Sequence, residues 1–301
     1  MEEIQTVQKR KHKKFSVTNT VIYAVIVLYA LFLFVPILTI LVSSFIPGDE
    51  LARAEGYVWG TSHPTFDGYV NLFTADPYMA STGIPSLILG FINTLWMTLV
   101  PLVIGLVVSG LSAYAFSKLR FPGREKLFEI MVIISMVPLG AFGVISYIFY
   151  STLGWVNELG WMPLVIPGMF GSIGTVFFLR MYFDGIPTGL LEAARIDGAN
   201  TMTVFFRIMW PLALPAFISQ FIFGFVGGYN NYMTALLYLN NNPDFITLQL
   251  VLSKVTTLFP GAEYQNVWCA ASIIGILPLI IIYCFTQKYF LEGITAGGVK
   301  E

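Results

Sequence analysis

Cysteine and histidine, the side chains that most often act as nucleophiles or metal ligands, are rare in this sequence. Cys269 and Cys284 lie 15 residues apart in one apolar run. On a helix this spacing separates them by about 22 Å, too far for a disulfide. His12 and His63 lie in polar segments. We therefore predict no buried serine–histidine pair, no histidine-ligated metal site and no cofactor.

Other enzymatic chemistry also finds no support. No lysine follows a glycine, so the chain lacks the Gly-Lys-Ser/Thr loop that cradles nucleotide phosphates. The apolar runs contain no acidic pair that could form an intramembrane aspartic protease. We predict that the chain is not an enzyme and does not hydrolyse ATP by itself.

A run of phenol and amide side chains, Tyr229-Asn230-Asn231-Tyr232, interrupts a long apolar segment just after three closely spaced glycines. Amides donate and accept hydrogen bonds and phenols add a flat apolar face, so these four residues are candidate contacts for a polar substrate. The alternative is helix packing, with close approach at the glycines and hydrogen bonds between helices. Weaker candidates in an earlier apolar segment are Met136, Pro138 and Tyr147.

The segment 186–212 combines helix signals with apolar side chains. Thr188 can cap a first short helix, Gly198 can end it in a left-handed turn, and Asn200 or Thr201 can start a second helix. The apolar residues on the expected faces are Leu190, Leu191 and Ala194, then Phe205, Phe206 and Met209. Such a helix pair favours docking into a groove on a partner. The alternative is a loop that lies on the membrane surface.

The composition places these segments in a bilayer. Of 301 residues, 56% are hydrophobic and 11% charged, and the mean hydropathy is +0.75. Charged residues make up about a quarter of a soluble domain, so this chain has too few for a water-facing surface. The net charge of −1 gives no basic excess for nucleic acid. A soluble enzyme and a nucleic-acid-binding protein are both excluded.

Six stretches of 21 to 41 residues contain no Asp, Glu, Lys or Arg. A helix needs about 20 residues to cross the hydrocarbon core, so each stretch can hold one span. We predict an all-α membrane protein, a single transmembrane domain over residues 1–301. The six transmembrane helices are expected near 18–44, 90–116, 128–150, 161–182, 212–234 and 267–290.

Lysine and arginine accumulate in cytoplasmic loops, so their distribution predicts orientation. Fourteen of the 16 basic residues lie on the side of both termini and of the second and fourth loops, against Arg53 and Lys254 on the other. Both termini are therefore predicted to be cytoplasmic, with an uncleaved first span. The external segments are then 46–89, with a short helix around Phe66–Phe73, and 235–266. No ionisable residue lies deep in a span, which argues against proton symport and favours energy from a cytoplasmic partner.

The loop resembles a known family at specific positions. Glu192-Ala193-Ala194, then Gly198, Ile208 and Pro211, match the signature loop of permease subunits of binding-protein-dependent ABC importers, with Trp210 in place of a leucine. Further likeness lies in Arg195–Ala199, Thr65–Phe73 and Gly293–Lys300, which resemble the carbohydrate-uptake branch. Within that branch the chain is similar to the six-span partner of the maltose-type permease pair.

The resemblance implies a cell-membrane permease for sugar, in particular oligosaccharide, uptake. The implied partners are a second, different permease, two cytosolic ABC ATPases and an extracellular or periplasmic substrate-binding protein. Coupling helices within 186–212 would contact the ATPases. The resemblance implies ATPase coupling for Glu192, Ala193, Ala194, Asp197, Gly198, Ile208 and Pro211, and leaves Tyr229, Asn230, Asn231 and Tyr232 as the substrate-pathway candidates. The alternative is a self-sufficient secondary carrier or channel for a small polar solute.

Overall fold

A computed structural model of the chain describes residues 17–54, 58–138, 142–239 and 242–298. Within these ranges every regular element is helical, as the sequence predicts for an all-α protein. The basic residues at 9–14 and Lys300, which contribute to the predicted orientation, lie outside them. The α-helices are α1 (Val17–Ser43), α2 (Gly48–Arg53), α3 (Asp67–Thr74), α4 (Met79–Thr82), α5 (Ser86–Lys118), α6 (Arg124–Ser135), α7 (Gly143–Thr152), α8 (Met162–Met169), α9 (Ile173–Asp184), α10 (Thr188–Ile196), α11 (Thr201–Val204), α12 (Trp210–Leu212), α13 (Leu214–Tyr229), α14 (Tyr232–Leu239), α15 (Leu248–Leu258) and α16 (Gln265–Gly298).

Four helical stretches in the described ranges are long and apolar enough to cross a bilayer. They are Thr18–Ser43, Ser86–Lys118, Met162–Asp184 and Ala262–Gln287. A fifth candidate joins Thr201–Leu212 to Leu214–Tyr229 through a bend of 78°. These stretches overlap five of the six predicted spans, and the predicted span at 128–150 has no counterpart among them.

The continuous helix expected over 128–150 is interrupted. α6 ends at Ser135 and α7 begins at Gly143, with Pro138 between them. Proline offers no N–H to a helix and disfavours helical backbone at the residue before it, which explains the break. The described part of 128–150 therefore contains two short helices rather than one continuous helix.

The helix expected over 212–234 also breaks, at Asn230 and Asn231. α13 ends at Tyr229, where the Asn230 side-chain amide donates to the Val226 carbonyl oxygen at 2.9 Å. The next helix, α14, starts just after Asn231, whose side-chain oxygen accepts from the Thr234 N–H at 3.3 Å. The Val226 carbonyl oxygen also keeps its helical bond from the Asn230 N–H, so the Asn230 side chain adds a bond at the end of α13, while the Asn231 side chain caps the start of α14.

α5 is the central helix and packs against α8, α9, α13 and α15. Its contact with α8 and α9 depends on small residues. A Cβ at Gly105 would meet the Gly168 carbonyl oxygen, and one at Gly171 would meet Ser109. Gly171 also has a φ of +79°, and this turn joins α8 to α9. Glycines here permit the close helix approach that is typical of membrane proteins.

Two buried apolar clusters lie along α5. The first cluster joins one half of α5 to α13, α15 and α16, with Tyr229, Leu248 and Leu250 fully buried. The second cluster joins the other end of α5 to α9 and to the segment 186–217. Because the second cluster includes Tyr114, Phe183 and Phe205, it connects the predicted docking loop to the long helices.

The segment before α5 forms an outer layer. The short helix expected around Phe66–Phe73 is confirmed as α3, which packs on the start of α16. The buried Asp76 carboxylate accepts backbone N–H groups from Tyr78 at 2.8 Å and from Ser86 at 2.5 Å. It therefore caps the N-terminus of α5, where a negative charge is favoured.

Candidate functional site

The first candidate site is the loop 186–212, in which α10 ends at a turn that requires glycine. Gly198 has a φ of +82°. Its N–H donates to the Arg195 carbonyl oxygen at 3.1 Å, and the Ala199 N–H donates to the Ala194 carbonyl oxygen at 2.9 Å. These two bonds form a Schellman motif. The left-handed turn predicted at Gly198 is confirmed.

The helix caps follow the prediction in one place and depart from it in another. Thr188 is the first residue of α10, follows Pro187 and makes no capping bond, so the predicted cap at Thr188 is wrong. Asn200 does cap α11, because its side-chain oxygen accepts the Thr203 N–H at 2.8 Å. The loop therefore contains two short helices joined at Gly198.

The second helix exposes fewer aromatic residues than expected. Phe205 and Met209 are fully buried in the second cluster, and only Phe206 is exposed. The cause is a wider helical turn over Phe205–Met209 followed by the 78° bend, which rotates these side chains inward. Trp210, which replaces the leucine of the signature, stacks on Phe217 with ring centroids 4.0 Å apart.

Four apolar residues of this loop are exposed: Leu190, Ile196, Met202 and Phe206, with exposed fractions of 48%, 86%, 56% and 49%. We call them the docking face, after the docking that the sequence predicts for this loop. Sequence reasoning missed Ile196 and Met202, although both are apolar residues between polar neighbours in the chain. Glu192, Ala193 and Asp197 are exposed beside this face, whereas Ala194 packs against the second cluster.

Ionic contacts hold the helix ends next to the loop. Arg180 on α9 pairs with Glu125 at 2.7 Å and with Asp184 at 3.8 Å, and its guanidinium lies 4.0 Å from the Phe128 ring centroid. Hydrogen bonds from Arg180 and then from Arg124 lower the pKa of Glu125 below its usual value. These contacts connect the end of α9 to the start of α6.

The second candidate site is a partly open cavity of about 440 Å³ lined by residues of α5, α8, α9 and α13. Its volume lies within the range of about 300–1,000 Å³ that is usual for small-molecule sites. The polar residues that line it are Thr94, Thr98, Ser109, Ser172, Thr175, Gln220, Tyr229, Asn231 and Thr247. The remaining lining residues are apolar or glycine.

A series of hydrogen bonds between hydroxyl-bearing side chains runs across one end of this cavity. The Ser109 hydroxyl oxygen accepts the Ser172 N–H at 3.1 Å, and the Ser172 hydroxyl donates to the Thr175 hydroxyl at 2.8 Å. Thr175 in turn donates to the Gln220 side-chain oxygen at 3.2 Å. We call these four residues the polar track. It joins α5, the start of α9 and α13, so a movement of any of these helices changes the cavity.

The sequence that forms these two sites matches a known protein family. The family described as "binding-protein-dependent transport system inner membrane component" matches residues 105–294. The chain belongs to this family. The match covers the whole loop 186–212, and the chain is accordingly a multi-pass membrane permease.

Individual relatives cover nearly the full length. The permease is 32% identical over 283 residues to the arabinooligosaccharides transport system permease protein AraQ of Halalkalibacterium halodurans, covering 93% of this chain and 95% of that one. It is also 32% identical over 292 residues to AraQ of Bacillus subtilis, covering 97% and 99%. A solved structure of a bacterial ABC transporter involved in import of the acidic polysaccharide alginate matches with a TM-score of 0.76 and 26% identity, covering 92% and 99%.

The permease places the four predicted substrate-pathway residues in different surroundings. Tyr229 and Asn231 line the cavity, but the Tyr229 hydroxyl donates to the Gly275 carbonyl oxygen at 2.8 Å. Asn230 is exposed, and its side-chain oxygen accepts from Gln249 at 3.3 Å. Tyr232 packs at the edge of the first cluster. The cavity thus brings together two of the four, and it adds Gln220 and Thr175, which sequence reasoning missed.

The weaker candidates in the third predicted span lie elsewhere. Met136 is among the most exposed residues, with Pro138 in the break after α6. Tyr147 stacks on Tyr238 with ring centroids 6.2 Å apart. Among the described residues Cys269 and Cys284 are free thiols, and no group of three His, Cys, Asp or Glu is placed to hold a metal ion.

Proposed function

We propose that this permease is a subunit of an ABC importer that takes up sugars, in particular oligosaccharides. It works with a second, different permease, two cytosolic ABC ATPases and an extracellular or periplasmic substrate-binding protein. Two lines of similarity support the proposal. AraQ is named as an arabinooligosaccharide transport permease, and the solved structure that matches is an alginate importer.

The observation that carries the proposal is the docking face on the loop 186–212. A helix pair in water normally buries its apolar side chains, yet Leu190, Ile196, Met202 and Phe206 are exposed together. Apolar patches on exposed short helices mark protein contacts, and a helix in a groove is one recurring form of such contacts. We assign this face, with Glu192, Ala193 and Asp197 beside it, to an ATPase subunit.

The buried side of the same loop suits it for transmitting motion. Phe205 lies against Tyr114 of α5, with ring centroids 5.6 Å apart, and Met209 is buried in the same cluster. Since packed interiors move as rigid units, displacement of α10 and α11 must be passed to α5, α9 and α13. ATP binding on the partners would thus reorient these helices and open the pathway outward, and hydrolysis would reset it.

For topology we propose six spans, with both termini cytoplasmic. The spans lie within α1, α5, α6 with α7, α8 with α9, α13 with α14, and α16, and the third span begins near residue 128, after Glu125. Irregular backbone at membrane depth is tolerated where protein or a water-filled cavity covers it. The break in the fifth span adjoins the cavity, whereas the break in the third span is exposed at Met136 and therefore requires cover from the partner permease. This arrangement puts Ser62 outside and the loop 186–212 inside, in agreement with the distribution of basic residues.

The substrate pathway is proposed to pass the break at Tyr229–Tyr232 and the adjoining cavity. Asn231 lines the cavity, and Asn230 faces outward at the same break. Tyr229 serves mainly to shape the cavity wall, because its hydroxyl is already bonded to Gly275, and Tyr232 packs against the first cluster beside the break.

Co-purification with uptake tests this proposal. The tagged permease should recover an ATPase and a second permease, and vesicles with the complete complex should take up an oligosaccharide only with ATP and the binding protein. The purified permease alone should show no ATP hydrolysis above background. Solute accumulation by vesicles that contain only this chain would instead support the self-sufficient carrier and refute the proposal.

A further inference from the structure

The similar proteins leave the charge of the transported sugar open. Arabinooligosaccharides, named for AraQ, are neutral, whereas alginate is described as an acidic polysaccharide. A permease for an acidic sugar must accept carboxylates in its pathway, and one for a neutral sugar must satisfy only hydroxyl groups. The side chains around the cavity distinguish these two requirements.

Among the described residues, none that lines the cavity carries a charge. Its wall offers hydroxyls from serine and threonine, two carboxamides, and apolar surface from residues such as Met97 and Leu102. A carboxylate that leaves water for such a site suffers a large desolvation penalty unless a cation lies close by. Sugar hydroxyls, in contrast, find both donors and acceptors on this wall.

Arg180 is a basic side chain on α9, the same helix as Thr175 of the polar track, and it is already engaged. It lies one and a half helical turns beyond Thr175, at the opposite end of α9 from the cavity. It pairs with Glu125 and Asp184 and packs over the Phe128 ring. Turning toward the cavity would break these contacts, so Arg180 is not available to neutralise a bound carboxylate.

The polar track ends in a group suited to a sugar hydroxyl. The Ser172 hydroxyl donates to the Thr175 hydroxyl, which in turn donates to the Gln220 side-chain oxygen. The Gln220 Nε2 group therefore remains as a donor, with no hydrogen-bond partner among residues of the described ranges. Gln220 lines the cavity, so a ligand hydroxyl there can accept this N–H.

We propose that the cavity binds an uncharged sugar unit, hydrogen-bonded by Gln220 and Asn231, and that the permease therefore passes neutral oligosaccharides and rejects those made of uronic acids. This inference rests on the proposed sugar-import function and adds the class of sugar and the place where it binds.

The experiment uses the complete importer complex in vesicles, with Cys269 and Cys284 replaced by alanine. Uptake is measured first for two neutral trisaccharides, of arabinose and of galactose, and for the trisaccharide of galacturonic acid. Thr98→Cys and Leu102→Cys, both in the cavity wall and neither proposed to bond the sugar, are then labelled with N-ethylmaleimide, with or without each sugar. Two positions are used in case one of the substitutions disturbs the cavity. Val226→Cys, on α13 but not in the cavity wall, is the matched control.

We expect uptake of at least one neutral trisaccharide and not of the acidic one. The transported neutral sugar should slow labelling of Thr98→Cys and Leu102→Cys severalfold and leave Val226→Cys unchanged. Uptake of the acidic sugar, or protection by it, would overturn the assignment of charge. Neutral uptake without protection at either position would overturn the cavity as the binding place but leave the proposed function intact. If the active complex takes up no sugar at all, the proposed function itself fails.

Discussion

Gly198 provides the sharpest test of the proposed coupling role of the loop. A substitution at a left-handed glycine usually combines a steric clash with backbone strain, and the structure separates these two effects. No heavy atom lies within 4 Å of the position that a Cβ would take, so Gly198→Val introduces no clash. The remaining effect is the φ of +82°, which a β-branched residue rarely adopts. Residues held in such a region cost about 1–3 kcal/mol.

This strain acts only on the turn. A penalty of about 1.4 kcal/mol changes an equilibrium constant tenfold, so Gly198→Val should shift the equilibrium away from the native turn by roughly one to two orders of magnitude. The Schellman bonds from Gly198 and Ala199 would be weakened, and the orientation of α10 relative to α11 would no longer be fixed. The long helices should be unaffected, since the change buries no new group among them.

Gly189 is a matched control within the same helix. It lies inside α10, has no positive φ, and also has no heavy atom within 4 Å of its Cβ position. Gly189→Val adds the same side chain where helix propensity slightly favours it over glycine. Gly198→Asn is the second control, since asparagine tolerates left-handed backbone. We expect Gly189→Val and Gly198→Asn to retain most activity.

The assay compares membrane abundance, recovery of the ATPase on affinity purification and ATP-dependent sugar uptake. Gly198→Val should match the wild type in abundance but lose ATPase recovery and uptake together. Wild-type uptake by Gly198→Val with the ATPase bound would refute the role of the turn. Equal losses in Gly189→Val would show that added bulk on α10, rather than backbone strain, is responsible.

Three further predictions concern topology, buried hydrogen bonds and pH. A cysteine at Ser62 should react with an impermeant thiol reagent outside intact cells and one at Met202 should not; the reverse labelling pattern would contradict the proposed orientation. Thr94→Val should destabilise the permease by about 1–3 kcal/mol, because it leaves the buried Leu248 N–H without its 2.8 Å acceptor, while Thr94→Ser should be close to wild type in thermal unfolding. Because the folded-state pKa of Glu125 is lowered, its contribution to stability should be complete at neutral pH and be lost as the pH falls below about 4; Glu125→Gln should remove this acid-dependent part of the melting curve, and an unchanged curve would contradict the predicted role.

Local signals made the turn at Gly198 and the helix α3 predictable. Glycine is the residue that adopts a left-handed C-terminal turn without strain. The position of Gly198 four residues after Ala194 was therefore sufficient to predict where the first short helix ends. Pro138 could also have located the break in the third predicted span, because its effect on the preceding residue is local. The length of the apolar run obscured that break, since charge-free length alone does not distinguish one helix from two.

Contacts between distant residues were not predictable. The Asn93 amide donates to the Asp244 and Ile246 carbonyl oxygens, which are 151 and 153 residues away in the chain. The Tyr229 hydroxyl is bonded to Gly275, 46 residues away, so a phenol that looked available for substrate is occupied. Phe205 and Met209 were expected at the surface because an ideal helix would present them there, and the 78° bend turned them inward.

Hydropathy also fails to identify which long helix is central, for a reason specific to bilayers. Of the four long apolar stretches in the described ranges, α1 is the most apolar and the least buried, whereas α5 is the most buried. Lipid is as apolar as leucine, so apolar character gives a helix no preference for protein over lipid. Small and hydroxyl-bearing residues do give a helix a preference for protein over lipid. In α5, Gly105 lets the backbone of α8 approach, and Thr94 and Ser109 accept hydrogen bonds from neighbouring segments. The position of α5 at the centre therefore follows from its least hydrophobic residues, which also line the cavity through which we propose that sugar passes.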